Sequence, residues 1–279
     1  MVNVCYSGNA KMFDGFLISL LSMVRHTKET VHAIILTGDF SSLNPAYVPF
    51  NEEQRAFIEN TLRLYNKENS VRLIDITPLI EQEFKKCANL KTRFSPYTLL
   101  RLFLDQIEDI PDRLLYIDAD TIVMKDIKEL YDFKMGDCFL AAVRDAVGRK
   151  WVNVDYCNAG VLLLDMGKIR KTNLFALCRK RVETRFMFMP DQTAINVYFE
   201  GRKAFLPCKF NEQVSVKEHT VIRHYCSVMK LWPWLHIINV KQWEVDKMHE
   251  VLNDHYSDDI LNDYLTLKDQ FVKQEQPRI

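Results

Sequence analysis

The N-terminal third of the chain alternates between short apolar runs and segments with helical periodicity, and this alternation constrains the fold more than any other feature. Three runs have the length and composition of buried strands: Val2–Tyr6, Ala33–Leu36 and Val71–Ile76. Between the first two, apolar residues recur at helical spacing from Phe13 to Val24. Asn51 and Gln54 have the spacing of a capping box and predict a second helix that runs to about Lys67. This β-α-β-α-β order predicts a mostly parallel sheet covered by helices.

The rest of the chain continues the α/β pattern. Further strands are predicted at Leu114–Ile117, Phe139–Val143 and Val161–Leu164. Further helices are predicted over about Tyr97–Gln106, Met166–Thr184 and Gln192–Tyr198, and again from Lys241 onward. Because no repeat, linker or shift in composition marks a boundary, we predict one α/β domain over residues 1–240, followed by a helical C-terminal extension over residues 241–279.

The charge balance excludes some classes of function. The 37 lysines and arginines balance the 37 aspartates and glutamates, so the chain has no net charge at pH 7. A protein without a positive field is not suited to general binding of nucleic acid or of anionic membranes. With 279 residues, of which 48% are hydrophobic, the chain can bury a large core without a disulfide or metal staple. The composition therefore indicates a core-forming protein without a nucleic-acid partner.

The cysteines and the apolar segments together predict a cytoplasmic protein. The seven cysteines are widely spaced and form no Cys-x-x-Cys pair, which argues against a zinc ribbon, and free thiols are typical of a reducing compartment. No stretch approaches about 20 consecutive apolar residues. The segment Phe16–Val24 lacks the basic flank and the cleavage site of a secretory signal. We expect at most peripheral contact with the inner face of the membrane.

Two carboxylates directly follow a predicted strand. Asp118 and Asp120 come after the apolar run Leu114–Ile117, and in open α/β sheets ligands bind beyond the carboxyl ends of strands. In an extended chain, side chains at i and i+2 project to the same side, so this pair can share one divalent cation. An Asp-x-Asp pair also arises by chance about once in a chain of this length. These two residues alone do not distinguish a metal site from an ordinary acidic turn.

A histidine and a lysine further along the chain are candidate partners of these carboxylates. His224 follows the short apolar run Val221-Ile222. A lone histidine is more often a structural residue than a ligand, but an imidazole added to two carboxylates suits manganese better than calcium. Lys230 is a candidate contact for an anion such as phosphate, or else an ordinary solvated lysine.

Further polar residues are candidates for the same edge of the sheet. Asn158 begins a small-residue run to Gly160, which is either a turn into the next strand or a loop that lets a substrate approach the backbone while the Asn158 amide binds hydroxyls. Asp191 and Gln192 lie at a helix start, where Asp191 suits an N-cap and both side chains can face a polar ligand. Arg101 is either a surface charge or a residue that reaches the site from behind the metal strand.

Taken together, these segments resemble glycosyltransferase family 8, the retaining family that includes glycogenin and bacterial lipopolysaccharide galactosyl- and glucosyltransferases. One such motif is weak, whereas five in the family's order are hard to obtain by chance. The five matching motifs, which cover roughly residues 2–235, are Arg101-Leu102, Leu114–Asp120, Asn158–Leu162, Asp191-Gln192, and His224-Tyr225 with Lys230 and Pro233-Trp234. The resemblance implies the GT-A fold for residues 1–240.

The resemblance also implies an activity and a set of roles. The implied enzyme moves galactose or glucose from a UDP-sugar to a saccharide, lipopolysaccharide or glycoprotein acceptor with retention of anomeric configuration, in the biosynthesis of cell-surface polysaccharide. The implied cofactor is Mn²⁺. The implied roles are a metal site at Asp118, Asp120 and His224, a diphosphate contact at Lys230, a further nucleotide-sugar contact at Arg101, and catalytic positions at Asn158, Asp191 and Gln192.

The first loop and the C-terminal segment depart from the family. The family usually carries Asp or Thr before the Asn of its first loop, whereas this chain has Tyr6-Ser7-Gly8-Asn9. We therefore expect the base of the nucleotide to be recognised by the Ser7 hydroxyl, the Asn9 amide and stacking on Tyr6, with modest selectivity. The C-terminal segment is net acidic, so the basic stretch Lys168–Arg185 is the candidate for membrane contact, or else an ordinary solvated helix face.

Two other functions are consistent with parts of the sequence. Leu114–Val123 also resembles the Asp-x-Asp strand of haloacid-dehalogenase phosphatases, in which the first Asp is the nucleophile. However, Thr121 follows without a preceding glycine, and the chain has no Gly-Asp-x-x-x-Asp downstream. The other alternative is a sugar-binding module without catalytic activity. The presence of Asp118, Asp120, His224 and Lys230 argues against it, because such a module has no need of all four residues.

Overall fold

A seven-stranded sheet lies at the centre of the protein in the computed structural model, which describes residues 1–84, 87–92, 95–230 and 236–275. The strands in chain order are β1 (Val2–Ser7), β2 (Val31–Thr37), β3 (Ser70–Asp75), β4 (Arg113–Ile117), β5 (Thr121–Val123), β6 (Leu140–Arg144), β7 (Cys157–Asp165), β8 (Lys203–Phe205), β9 (Ile222–His224), β10 (Val228–Lys230) and β11 (His236–Ile238). The central sheet has the order β3-β2-β1-β4-β7-β6-β8. Strands β3, β2, β1 and β4 run parallel, and β7 is antiparallel to both neighbours. The prediction of an α/β fold with a mostly parallel sheet is confirmed.

Helices cover both faces of this sheet. In chain order they are α1 (Phe13–His26), α2 (Glu52–Arg63), α3 (Thr77–Glu83), α4 (Lys128–Tyr131), α5 (Gly148–Trp151), α6 (Met166–Arg170), α7 (Leu174–Thr184), α8 (Pro190–Tyr198), α9 (Val245–Leu252) and α10 (Asp258–Glu275). Successive side chains of β1 alternate between two apolar cores: Val4 and Tyr6 face the core under α1, and Cys5 faces the core under α7 and α8. Burial on both faces explains why the parallel strands are continuous apolar runs.

Two predicted helices differ from the observed ones. The segment predicted as a helix over Tyr97–Gln106 is a 3₁₀ helix over Pro96–Phe103. Within it, the Arg101 Nε donates to the carbonyl of Thr98 at 2.9 Å. The long helix predicted over Met166–Thr184 is divided into α6 and α7, because the backbone N–H and the hydroxyl of Thr172 both donate to the carbonyl of Ile169 and end the first helix.

The C-terminal helix α10 packs against the outer side of α1. Phe271 of α10 stacks on Phe13 of α1, with ring centroids 4.3 Å apart. Beside this stack Lys268 donates to Asp14 at 2.8 Å, and at the other end of the interface Arg25 donates to Asp263 at 2.6 Å. The prediction that residues after Lys241 are helical is confirmed by α9 and α10.

A two-stranded sheet beyond the end of β4 positions the candidate site. β5 pairs antiparallel with β9, so that Thr121 lies opposite His224. This pairing brings the β4–β5 loop, residues 118–120, against the end of a strand that follows it by about a hundred residues. Among the helices of the described residues, none has the length and apolarity needed to cross a membrane.

Candidate active site

Three predicted ligands converge at the carboxyl end of β4. The His224 Nε2 atom lies 3.1 Å from Asp120 Oδ1 and 4.0 Å from Asp118 Oδ2. One ligand atom from each of the three side chains lies within 4.8 Å of the others. The loop is held in place by backbone hydrogen bonds from Asp118 N to Gly160 O and from Tyr225 N to Asp120 O, both 2.8 Å. Two carboxylates and an imidazole at this spacing form a donor set suited to a divalent metal ion.

The hydrogen bonds behind His224 orient its ring for metal binding. The Asn211 amide nitrogen donates to Asn158 Oδ1 at 2.9 Å, which turns the Asn211 oxygen toward His224. His224 Nδ1 lies 3.0 Å from that oxygen and must therefore be the protonated, donating nitrogen. Nε2 is then the nitrogen that faces the two carboxylates, and once unprotonated it would offer its lone pair to a metal ion. A ligating histidine needs this tautomer, so the residues present fit a metal ion.

Glycine at position 160 makes room for His224. A Cβ atom built on Gly160 would lie 2.2 Å from His224 Cε1 and 2.9 Å from Asp118 Oδ2. The run Asn158-Ala159-Gly160 is extended backbone within β7, so the prediction of a turn there is wrong. The small residue at position 160 is required by the histidine ring, and the run Asn158-Ala159-Gly160 also lines the cleft next to the metal-ligand candidates.

Arg101 is a buried residue of the site. Its guanidinium donates to Asp118 Oδ1 at 2.7 Å and to the carbonyl of Ala159, lies 3.3 Å from Asp191 Oδ2, and stacks on the Tyr116 ring with a centroid distance of 4.2 Å. Its side chain is 2% exposed, so the alternative of a surface charge is wrong. This single cation fixes one oxygen of Asp118 and thereby aims the other at His224.

Asp191 does not cap its helix. The N-cap of α8 is Met189, and Asp191 lies in the first helical turn with its carboxylate facing Arg101. Burial raises the pKa of this carboxyl, Arg101 opposes the rise, and the nearby Asp118 charge adds to it. The arginine is therefore shared between two acidic side chains of the site.

The second carboxylate, Asp120, has a cation of its own. Lys241 Nζ donates to Asp120 Oδ2 at 2.5 Å and to the Tyr225 carbonyl at 2.9 Å. Burial alone would raise the pKa of Asp120, but Lys241 and His224 together hold it well below its usual range. Asp120 is therefore charged throughout the physiological pH range.

A buried carboxylate links the remaining predicted residues. Asp145 Oδ2 accepts from the Asn158 amide at 2.9 Å and from the Gln192 amide at 3.3 Å. The Gln192 oxygen in turn accepts from the Ala159 N–H at 3.0 Å. These amides are therefore held in fixed positions along the cleft.

Most of the side chains described so far line one cleft of about 650 Å³, whereas Asn211 and Tyr116 support it from behind. The three metal-ligand candidates lie together in its wall, and the rest of the wall includes residues from β7, from α8 and from the first loop. The lining includes Ser7, Gly8, Tyr97, Arg101, Asp118, Asp120, Asp145, Asn158, Gly160, Phe188, Asp191, Gln192, Val214, His224, Lys241 and Trp243. The cleft has the size of an ordinary small-molecule site.

Comparison with known proteins identifies the family. The sequence profile of Glycosyl transferase family 8 matches residues 3–237. The chain belongs to this family. The match covers most of the chain and includes both predicted metal-ligand segments, and it removes the phosphatase alternative.

Individual family 8 relatives are distant but extend over most of the chain. A putative glycosyltransferase of Haemophilus influenzae is 23% identical over 285 residues, covering 91% of this chain and 82% of the relative. The lipopolysaccharide 1,2-glucosyltransferase of Escherichia coli K12 is 25% identical, covering 88% of this chain and 77% of the relative. The crystal structure of galactosyltransferase LgtC with donor and acceptor sugar analogues superposes with a TM-score of 0.68 at 20% identity, covering 94% of this chain and 96% of LgtC. This likeness shows that the chain has the GT-A fold.

The first loop of this family 8 protein differs from the sequence prediction. The Tyr6 side chain is fully buried, and its hydroxyl hydrogen-bonds to Ser19 Oγ at 3.0 Å. Its ring cannot stack on a base, so the predicted stacking is wrong. Ser7 lines the cleft and bonds to the Tyr116 hydroxyl at 2.6 Å, while the Asn9 amide donates to the Ala46 carbonyl at 3.3 Å. Alternation along β1 places Tyr6 on the same side as Val4, a signal that would have found its burial.

Three further residues of the candidate site, Asp145, Asn211 and Lys241, were not predicted from the sequence. Asp145 directly follows β6, so the rule that sites lie beyond strand ends would have found it. Asn211 and Lys241 lie in irregular segments with no distinctive pattern. The side chain of Lys230, and Pro233-Trp234 entirely, lie outside the described residues, so the predicted diphosphate contact stays a prediction.

Proposed function

We propose that this protein is a metal-dependent hexosyltransferase that moves galactose or glucose from a UDP-sugar to a saccharide or glycoconjugate acceptor with retention of anomeric configuration. The proposal is based mainly on one observation: in the cleft at the end of β4, His224 Nε2 faces one carboxylate oxygen of Asp118 and one of Asp120. The printed activities of relatives, a lipopolysaccharide 1,2-glucosyltransferase and a lipopolysaccharide 1,3-galactosyltransferase, support a hexose donor and a saccharide acceptor.

The proposed metal site is Asp118, Asp120 and His224, with Mn²⁺ as the cofactor. A divalent cation bound there would offset the negative charge that develops on the departing diphosphate. Contacts within the protein fix the orientation of Asp118. The Tyr116 hydroxyl donates to Asp118 Oδ1 at 3.1 Å, and Arg101 donates to the same oxygen. We assign Lys230 to the diphosphate as well.

The side chains beside the sugar position favour return of the acceptor on the face that the diphosphate leaves. Asp191 is paired with Arg101, and the Gln192 amide is bonded to Ala159 and to Asp145. A carboxamide is a poor nucleophile, and a carboxylate already paired with a guanidinium is a weakened one. These residues therefore orient the sugar hydroxyls, and a covalent glycosyl-enzyme intermediate is not needed for retention.

We place the reaction in the cytoplasm, in the synthesis of a cell-surface polysaccharide. All seven cysteines are free thiols, as in proteins of reducing compartments. Contact with a membrane would be peripheral. Within the basic stretch Lys168–Arg185, however, Arg179 is buried and paired with Asp105 and Glu83, so that it is not available to lipid headgroups.

The test is a screen of nucleotide sugars for hydrolysis and transfer, with and without Mn²⁺. We expect release of UDP from UDP-galactose or UDP-glucose only with the metal, and a product whose anomeric proton signal in NMR matches the donor's configuration. Binding of sugar nucleotides without any release would indicate a silent binding module. An inverted anomeric signal would contradict retention while leaving the transferase activity in place.

A further inference from the structure

Each of the two candidate metal-binding carboxylates already has one oxygen paired with a cation of the protein. Arg101 binds Asp118 Oδ1 at 2.7 Å, and Lys241 binds Asp120 Oδ2. The other oxygens, Asp118 Oδ2 and Asp120 Oδ1, are the ones that face His224. Each negative charge of the ligand set therefore faces a positive charge of the protein before any metal arrives, although Arg101 is shared with Asp191 whereas Lys241 pairs with Asp120.

Hydrogen bonds of Lys241 and of the next residue, Gln242, hold Lys241 beside Asp120. Its backbone N–H donates to Glu244 Oε2 at 2.9 Å, and the neighbouring Gln242 amide donates to the carbonyl of Ala119 at 2.7 Å. Its ammonium group also donates to the Tyr225 carbonyl, one residue beyond His224. The side chain is 21% exposed and borders the cleft. Lys241 is thus fixed next to the metal-ligand loop and differs from a mobile surface lysine.

We propose that Lys241 is a positioning residue that keeps the site weak for a free divalent cation and so makes metal binding depend on the nucleoside diphosphate. A divalent cation that enters alone meets carboxylates that are already paired with cations of the protein, and the Lys241 ammonium group repels it. A nucleoside diphosphate brings negative charge to the same place and offsets this repulsion. Metal and nucleotide then each raise the affinity for the other, because such coupling is reciprocal. This inference rests on the proposed function.

The experiment measures Mn²⁺ binding to the full chain by electron paramagnetic resonance, without nucleotide and with saturating UDP. Lys241→Met removes the charge and keeps the length of the side chain. We expect this variant to bind Mn²⁺ without UDP about tenfold more tightly than the wild type or better, and to gain less from UDP. Lys241→Arg keeps the charge and should behave as the wild type does. Lys268→Met removes a comparable lysine, paired with Asp14 on the outer side of α1, and serves as the matched control.

Equal or weaker Mn²⁺ binding by Lys241→Met in the absence of UDP would overturn the inference while leaving the proposed function intact. Should that variant fail to show the wild-type melting transition, Lys241→Gln provides the same loss of charge with a polar amide in place of the thioether. If the wild type binds no Mn²⁺ even with UDP present, the proposed metal-dependent function itself is wrong, and the role of Lys241 is overturned with it.

Discussion

The proposed metal end of the cleft, formed by Asp118, Asp120 and His224, and the proposed base end, formed by Ser7 and Gly8 with the buried Asn9 next to them, differ in how their side chains are fixed. At the metal end each ligand candidate has a charged or amide partner behind it. At the base end the contacts are neutral, and the Asn9 amide is directed to the backbone of Ala46. Charged groups in a buried network are worth more than neutral hydrogen bonds and orient one another. We therefore expect the affinity and the specificity for a nucleotide sugar to come mainly from contacts with its diphosphate and its sugar.

The largest effect is expected from a change at the metal end itself. Asp120→Asn removes a ligand charge but keeps an oxygen that accepts from Lys241, so we expect a loss of turnover of about a thousandfold or more with the fold retained. Steady-state UDP release and thermal melting measure the two properties. Asp14→Asn is the control, since it removes the charge of another aspartate–lysine pair away from the cleft. Retained activity together with a large drop in melting temperature would indicate a structural role for Asp120.

A smaller effect is expected when the histidine is displaced indirectly. In Gly160→Ala the new Cβ must push the His224 ring away from the two carboxylates. We expect Mn²⁺ affinity in the presence of UDP to fall by about 10- to 100-fold, the range seen when residues that support metal ligands are changed. Calorimetry gives the affinity. Gly167→Ala is the matched control because its Cβ would meet only the Asp112 carboxyl group, on a side chain that is 80% exposed. The two variants should therefore behave differently; an unchanged affinity in Gly160→Ala would show that His224 is not a ligand.

The smallest effect is expected at the base end. Asn9→Ala removes a neutral amide that is already bonded to Ala46, and we expect UDP affinity to weaken by no more than about tenfold, with little change in the preference over CDP and GDP. Asn3→Ala, at the other end of β1, removes a comparable amide that bonds to Tyr131 and serves as the control. A wild-type preference for UDP above about a thousandfold would mean that a further residue recognises the base.

Most of the fold could be predicted because its signal is local. Strands buried on both faces must be apolar throughout, and the capping box of Asn51 and Gln54 is present as predicted. The 3₁₀ geometry of Pro96–Phe103 could not be predicted, because the spacing of its apolar residues does not distinguish a short 3₁₀ helix from an α-helix. The inward contacts of Arg101 with Asp118 and Ala159 form only with the tertiary structure.

The candidate site was predictable where its residues follow strands. Asp118, Asp120 and His224 all lie at strand ends, and the structure brings them together. Lys241 could not be found in this way, because it is separated from Asp120 by 121 residues and lies in an irregular segment. The ion pair between them depends on how that segment packs over the loop after β4.

The most direct test of the central claim, a metal-held diphosphate at the end of β4, is calorimetric titration of the wild-type protein with UDP in the presence of Mn²⁺ and again in the presence of a chelator. The account predicts binding at least about tenfold tighter with the metal, the size of effect expected when one divalent charge joins ligand and protein. Equal affinity under the two conditions would contradict it.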